Sequence, residues 1–152
     1  MNRKGIAFVL SAGMLVSIIV GASLSRADDK EEGPLEKIME KVNKANAIIQ
    51  KGTRNQVNFK KSQKDVAKNA MELVKLGKEA KKIRSAVKNA KDVTEPGKKW
   101  DELMDDFIKT SGKLGVVAGK TDAVYQKAKD AFGDVKKSCA DCHAVFKVEE
   151  NF

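Results

Sequence analysis

The chain has 152 residues, with 30 Lys and Arg against 21 Asp and Glu, a single His, two Cys and a net charge of +9. That length fits one domain able to bury a core. Two Pro and eleven Gly exclude collagen-like and proline-rich classes, and two Cys exclude a disulfide-dense mini-scaffold. One His excludes metal sites built on paired histidines, and 5% aromatic residues argues against a large β-sandwich.

The N-terminus reads as a secretory signal. Arg3 and Lys4 form a positive start, an apolar run covers residues 6–20, and Ser25-Arg26-Ala27 precedes Asp28-Asp29. Small residues at the −3 and −1 positions predict cleavage after Ala27. The apolar run is shorter than the roughly 20 residues of a spanning helix. An uncleaved anchor is the competing reading, and the lack of a Cys beside the cleavage site argues against lipidation. Cleavage removes Arg3, Lys4, Arg26 and no acid, so the mature chain, residues 28–152, is expected as a single domain of charge +6 outside the bacterial cytoplasm. Its lysines and acids interleave, as in Lys37, Glu40, Lys41 and Lys44, which is the pattern of a solvated helical surface. No basic arm with interspersed aromatics suggests nucleic acid, whereas a diffuse positive surface suits acidic protein partners.

Four amphipathic helices follow. The first starts after Gly33-Pro34 and carries Leu35, Ile38, Met39, Val42, Ala45 and Ile49 as one stripe. Gly52-Thr53 ends or kinks it, and residues 53–63, polar and poorly periodic, read as a loop or loose helical extension. The second helix covers roughly residues 64–89, with Val66, Ala70, Leu73, Leu76, Ala80, Ile83 and Val87 at near-heptad spacing. The run Asp92-Val93-Thr94-Glu95-Pro96-Gly97 breaks it and opens a third helix at Thr94 or Glu95. That helix holds Trp100, Leu103, Met104, Phe107, Ile108 and Leu114. Thr121-Asp122 is expected to cap a fourth, with Val124, Ala128, Ala131, Val135, Cys139, Cys142 and Phe146. Tyr125 reads as a half-exposed stripe residue. Gly133 costs about 1 kcal/mol inside a helix and would be justified by close approach of another helix or a porphyrin edge. No segment shows a period of two, so an all-α antiparallel four-helix bundle is the simplest way to bury four stripes.

The last helix contains Cys139-Ala140-Asp141-Cys142-His143, a C-x-x-C-H motif and the attachment signature of c-type haem. Two thiols at this spacing can reach both vinyl groups of one porphyrin, and His143, one turn after Cys139, then points at the iron. Three rival readings are weaker. A thioredoxin-type C-x-x-C belongs in a βαβ setting at a helix N-terminus. A zinc site wants four ligands and would be one short. A Cys139–Cys142 disulfide would be too local to constrain much.

Residues 131–147, AFGDVKKSCADCHAVFK, resemble the last helix of the class II cytochromes c, the family of cytochrome c′ and its low-spin relatives such as cytochrome c-556. Trp100 after Pro96-Gly97 also resembles the family pattern. The resemblance implies a four-helix bundle with one covalent haem c packed between helices. It also implies a role in electron transfer or gas binding, and no enzymatic activity. The surface lysines are expected to steer docking to redox partner proteins with acidic patches, and the resemblance implies a homodimer through the first two helices, against which the Lys-rich exposed faces count. Within the family the far side of the iron is either blocked by an apolar first-helix residue, leaving five-coordinate iron, or ligated by a first-helix Met. Met39 falls where that residue is expected and is the candidate distal ligand, with His143 proximal; Met71 and Met104 read as core or partly exposed residues. The family's first-helix Arg near a propionate is replaced here by Leu35, with Lys37 and Lys41 nearby. Lys147 matches a basic family position, and Trp100, Phe107 and Phe132 are expected to wall the pocket. The leading expectation is an outer-sphere electron carrier and the alternative a five-coordinate protein binding NO or CO; a weak peroxidase would lack a distal His or Arg.

Overall fold

The computed structural model describes residues 33–147. The expected cleavage after Ala27 and the apolar run before it lie outside the described residues. Four helices account for most of the rest: α1 Pro34–Gly52, α2 Gln56–Lys81, α3 Pro96–Gly119 and α4 Tyr125–Phe146, with a single 3-10 turn at Val87–Asn89 between α2 and α3. No strand occurs among the described residues. The architecture is the expected all-α four-helix bundle.

Pro34 opens α1 with its fixed φ, and the Glu36 carboxylate accepts the Gly33 N–H at 2.6 Å. The buried stripe of α1 is Ile38, Val42, Ala45 and Ile49, with Leu35 and Met39 half-buried at its edge. At its end a Cβ on Gly52 would come within 2.5 Å of Val66, so this glycine is what lets α1 and α2 close together. A similar contact lies midway between α2 and α3, where a Cβ on Gly77 would meet Ile108 at 2.8 Å and Phe107 at 2.9 Å.

Helix α2 differs from its sequence reading at both ends. It begins at Gln56, because the Asn55 side chain accepts the Asn58 N–H at 2.8 Å as an N-cap. Of the two readings of this stretch, loop or loose helical extension, the second holds for residues 56–63, and Phe59 is their one buried anchor. The poor periodicity there marks a kink at Ser62, whose hydroxyl donates to the Asn58 carbonyl four residues back at 2.7 Å. The helix stops at Lys81, eight residues short of the predicted Asn89. Arg84, just beyond, turns instead to α3 and grips both Asp101 carboxylate oxygens at 2.9 Å.

Helix α3 opens at Pro96 as expected, preceded by Glu95, whose side chain makes no cap. Its last carbonyls are satisfied from another helix: Gln63 Nε2 donates to Ala118 O at 2.9 Å and to Lys120 O at 2.6 Å. The expected Thr121-Asp122 cap of α4 does not form. The residue before α4 is Val124, with no side-chain cap, and Thr121-Asp122 sit in the preceding turn. Tyr125 anchors the start of α4 instead, its ring packing on Phe59 and its hydroxyl donating to Arg54 O at 3.4 Å. Gly133 is exposed and a Cβ there would meet nothing within 4 Å, so no neighbouring helix requires it.

The helices pack in chain order, α1 on α2, α2 on α3, α3 on α4. No comparable approach joins α1 to α4; α4 comes nearer to α2 across the diagonal. One seam of the bundle is thus left wide.

Candidate functional site

The C-x-x-C-H residues occupy the last turns of α4, and the surroundings fix those turns firmly. Trp100, 2% exposed, stacks edge-on against Phe146 with centroids 5.1 Å apart. Its indole N–H donates to Lys81 O at 3.2 Å, one of the carbonyls left over at the end of α2. The Lys91 N–H reaches Val145 O at 3.0 Å. The end of α2, the start of α3 and the end of α4 therefore meet at one aromatic contact.

Which way the motif faces follows from its neighbours. Ser138 pairs with Thr110, and Asp134 with Lys113 at 2.7 Å, so that flank of α4 faces α3. At 100° per residue the opposite flank carries Tyr125, Lys129, Phe132, Lys136 and His143. It faces α1: Lys129, Phe132 and Lys136 line one cleft with Ala47, Gln50 and Lys51, and Tyr125 reaches Arg54 in the turn just after α1. Cys139 is half-buried on the way from that flank to the core, and Cys142, 7% exposed, points into the core. His143 thus projects onto the wide α1–α4 seam.

On the other side of the seam, the flank of α1 turned from α2 carries Leu35, Met39 and Asn46. Antiparallel helices of equal rise keep register. Ala47 of α1 and Lys136 of α4 line one cleft, and counting the seven residues from Lys136 to His143 back along α1 from Ala47 leads to residue 40, next to Met39. Met71 is 48% exposed with its sulfur against the Gly115 position of α3, and Met104 is buried in α3. Of the three methionines among the described residues, Met39 alone is on the helix across the seam.

Electrostatics separate the rival readings of the motif. Burial pushes the Cys142 thiol up to about 11, with the neighbouring Cys139 adding to the effect, and burial also raises Cys139. Both sit at the C-terminal, negative end of a helix, the opposite of a redox-active C-x-x-C. Asp141 is held by Lys137 at 2.7 Å, and no group of three His, Cys, Asp or Glu side chains suited to a metal ion occurs among the described residues. The two thiols are free. Partial burial of the imidazole, and then the charge of Lys147, lower the His143 pKa, which favours the neutral ring that ligates metals.

The residues present fit a haem. Two unionised thiols and a neutral imidazole share one end of a wide seam. Across it the Asn46 Oδ1 is buried without a hydrogen-bond partner, two turns along from Met39 on the same flank. A buried amide oxygen left unpaired is costly and marks a surface shaped for something besides protein. Of the other expected pocket residues, Trp100 braces the motif from beneath, whereas Phe107 packs toward Gly77 of α2. Phe132 lines the upper part of the seam, and Lys147 is exposed just past α4, its N–H donating to His143 O at 3.1 Å. Asn46 was not singled out from the sequence; its only signal is an amide on the edge of an apolar stripe, seven residues from Met39.

A haem-attachment motif on the final helix of an antiparallel four-helix bundle defines a class II c-type cytochrome. The cytochrome c′ family profile matches residues 29–147, and the chain belongs to that family. Covalently bound haem c follows from the membership. No curated protein and no solved structure matches the chain. No helix among the described residues is long and apolar enough to cross a membrane.

Proposed function

We propose that this cytochrome is an exported one-electron carrier holding a single haem, with thioethers at Cys139 and Cys142, His143 as proximal ligand and Met39 as distal ligand. One observation supports the reading: α1 and α4 leave their seam unclosed, with the Cys139–His143 motif in the last turns of α4 and Met39 half-buried on the α1 stripe. Bound there, the haem supplies reversible one-electron Fe(III)/Fe(II) chemistry. The lowered pKa of His143 keeps a ring lone pair available for ligation. Leu35, half-buried, and Ile38, buried, flank Met39 with apolar surface, which suits outer-sphere electron transfer, a process that needs no proton-moving group at the iron. Lys147, one turn beyond His143, is in reach of a propionate. The signal-like N-terminus accounts for export, which c-type haem attachment requires.

The test is spectroscopic. Purified holoprotein is expected to give one haem per chain by pyridine haemochrome, a low-spin ferric spectrum with a sulfur-to-iron charge-transfer band, and no CO uptake when reduced. Met39→Ala should turn it high-spin and CO-binding. A high-spin wild type that binds CO readily would remove Met39 from the iron and leave the five-coordinate, gas-binding alternative. A colourless exported protein would end both readings.

A further inference from the structure

We propose that the upper part of the α1–α4 seam is the docking site for an acidic protein partner, an inference that rests on the electron-carrier reading above. A cleft of about 510 Å³ opens there between the end of α1 and the first half of α4. Lys51 at the end of α1, Arg54 in the turn after it, and Lys129 and Lys136 from α4 line it around Phe132, with no carboxylate in its walls.

These four cations are gathered around one cleft without a carboxylate among its lining residues. On the α2–α3 and α3–α4 faces some basic residues are matched across helices, Arg84 with Asp101 and Lys113 with Asp134. The four in the cleft make no ion pair among the described residues. Two of them rest instead on aromatic faces, Lys136 at 5.3 Å from the Phe132 centroid and Lys129 at 6.0 Å from that of Tyr125. Gathering four like charges without a counter-charge is unfavourable for the isolated chain. A partner carrying carboxylates removes that repulsion. All four residues are exposed. Charges standing in water at a rim orient a protein surface, whereas a pocket for a small ion encloses its cations. The site also has the right position. Lys136 and His143 share a flank of α4 and are seven residues apart, about 10 Å along the helix. A partner seated on the cleft therefore lies beside the haem-binding end of the same seam.

The test is the rate of reduction of the holoprotein by photoreduced plant-type ferredoxin, an acidic one-electron donor, followed at the Soret band by stopped flow. The charge reversals Lys129→Glu and Lys136→Glu together are compared with Lys64→Glu and Lys68→Glu, the same change in net charge on exposed residues of α2. At low ionic strength the cleft pair should slow reduction about tenfold or more and the α2 pair less than about threefold, with the difference vanishing at high salt. Equal slowing by both pairs overturns the inference, as does a wild type that dithionite reduces and ferredoxin does not. Inorganic phosphate that slows the wild type to the level of the cleft variant at constant ionic strength would make this a small-anion pocket and also overturn it. Dithionite reduction reads the haem independently: a protein that no donor reduces refutes the electron-carrier reading itself.

Discussion

Replacing Trp100 tests whether three helix ends are joined at one point. The side chain is 2% exposed, so Trp100→Ala opens a large cavity and should cost about 4 kcal/mol. Trp100→Phe keeps a ring against Phe146 but loses the bond to Lys81 O, leaving that carbonyl without its indole donor. The lost bond and lost area together should cost about 2 kcal/mol. For a domain of this size each kcal/mol corresponds to a Tm change of about 4 °C, giving drops of about 16 and 8 °C. Urea unfolding followed by far-UV circular dichroism and by the Soret band measures both. The edge-on geometry with Phe146 adds a coupling of about 1 kcal/mol, readable from a double-mutant cycle with Phe146→Leu. A Trp100→Ala protein within 1 kcal/mol of wild type, or a cycle that closes to zero, would refute the joint.

Gly77→Ala should destabilise by about 1–2 kcal/mol, because the methyl presses on Phe107 and Ile108 by more than the helix-propensity gain, while Gly133→Ala, facing open space, should stabilise by about 1 kcal/mol; denaturant midpoints decide both signs. Gln63→Ala leaves two carbonyls at the end of α3 without their donor and should cost about 1–2 kcal/mol, with faster amide hydrogen exchange confined to the last turn of α3. In the haem-free chain the Cys142 thiol stays protonated until pH approaches 11, so at pH 8 its thiolate fraction is about a hundredfold below that of a thiol at 9. Iodoacetamide should therefore modify it far more slowly than it does free cysteine, the rate rising about tenfold per pH unit; a rate matching free cysteine would show the thiol to be unburied.

What was legible in the sequence was local. The Cys139–His143 motif is contiguous, so its chemistry needed no fold, and the stripe from Ile38 to Ile49 reports its own buried face. Where side chains compete with backbone, reading was harder. Asn55 was hidden by the polar run after it, and Ser62 bends α2 without ending it, so the pattern left loop and helical extension both open. At the start of α4, Thr121-Asp122 had the right chemistry one turn too early; the real anchor, Tyr125 on Phe59, joins residues 66 positions apart. The cleft cations were illegible for the same reason, since Lys51 and Lys136 become neighbours only once two helices far apart in the chain are set in register.

The order of packing bears on how the bundle assembles. Nearly all close approaches join consecutive helices, so each can form from a short hairpin with little loop-closure entropy, the topology of low contact order and fast folding. The seam that would require the first-made and last-made helices to find one another is the one the polypeptide leaves loosely zipped. A haem tethered to α4 along that seam would offer α1 a broad apolar face to close on, in place of direct contact between the first and last helices.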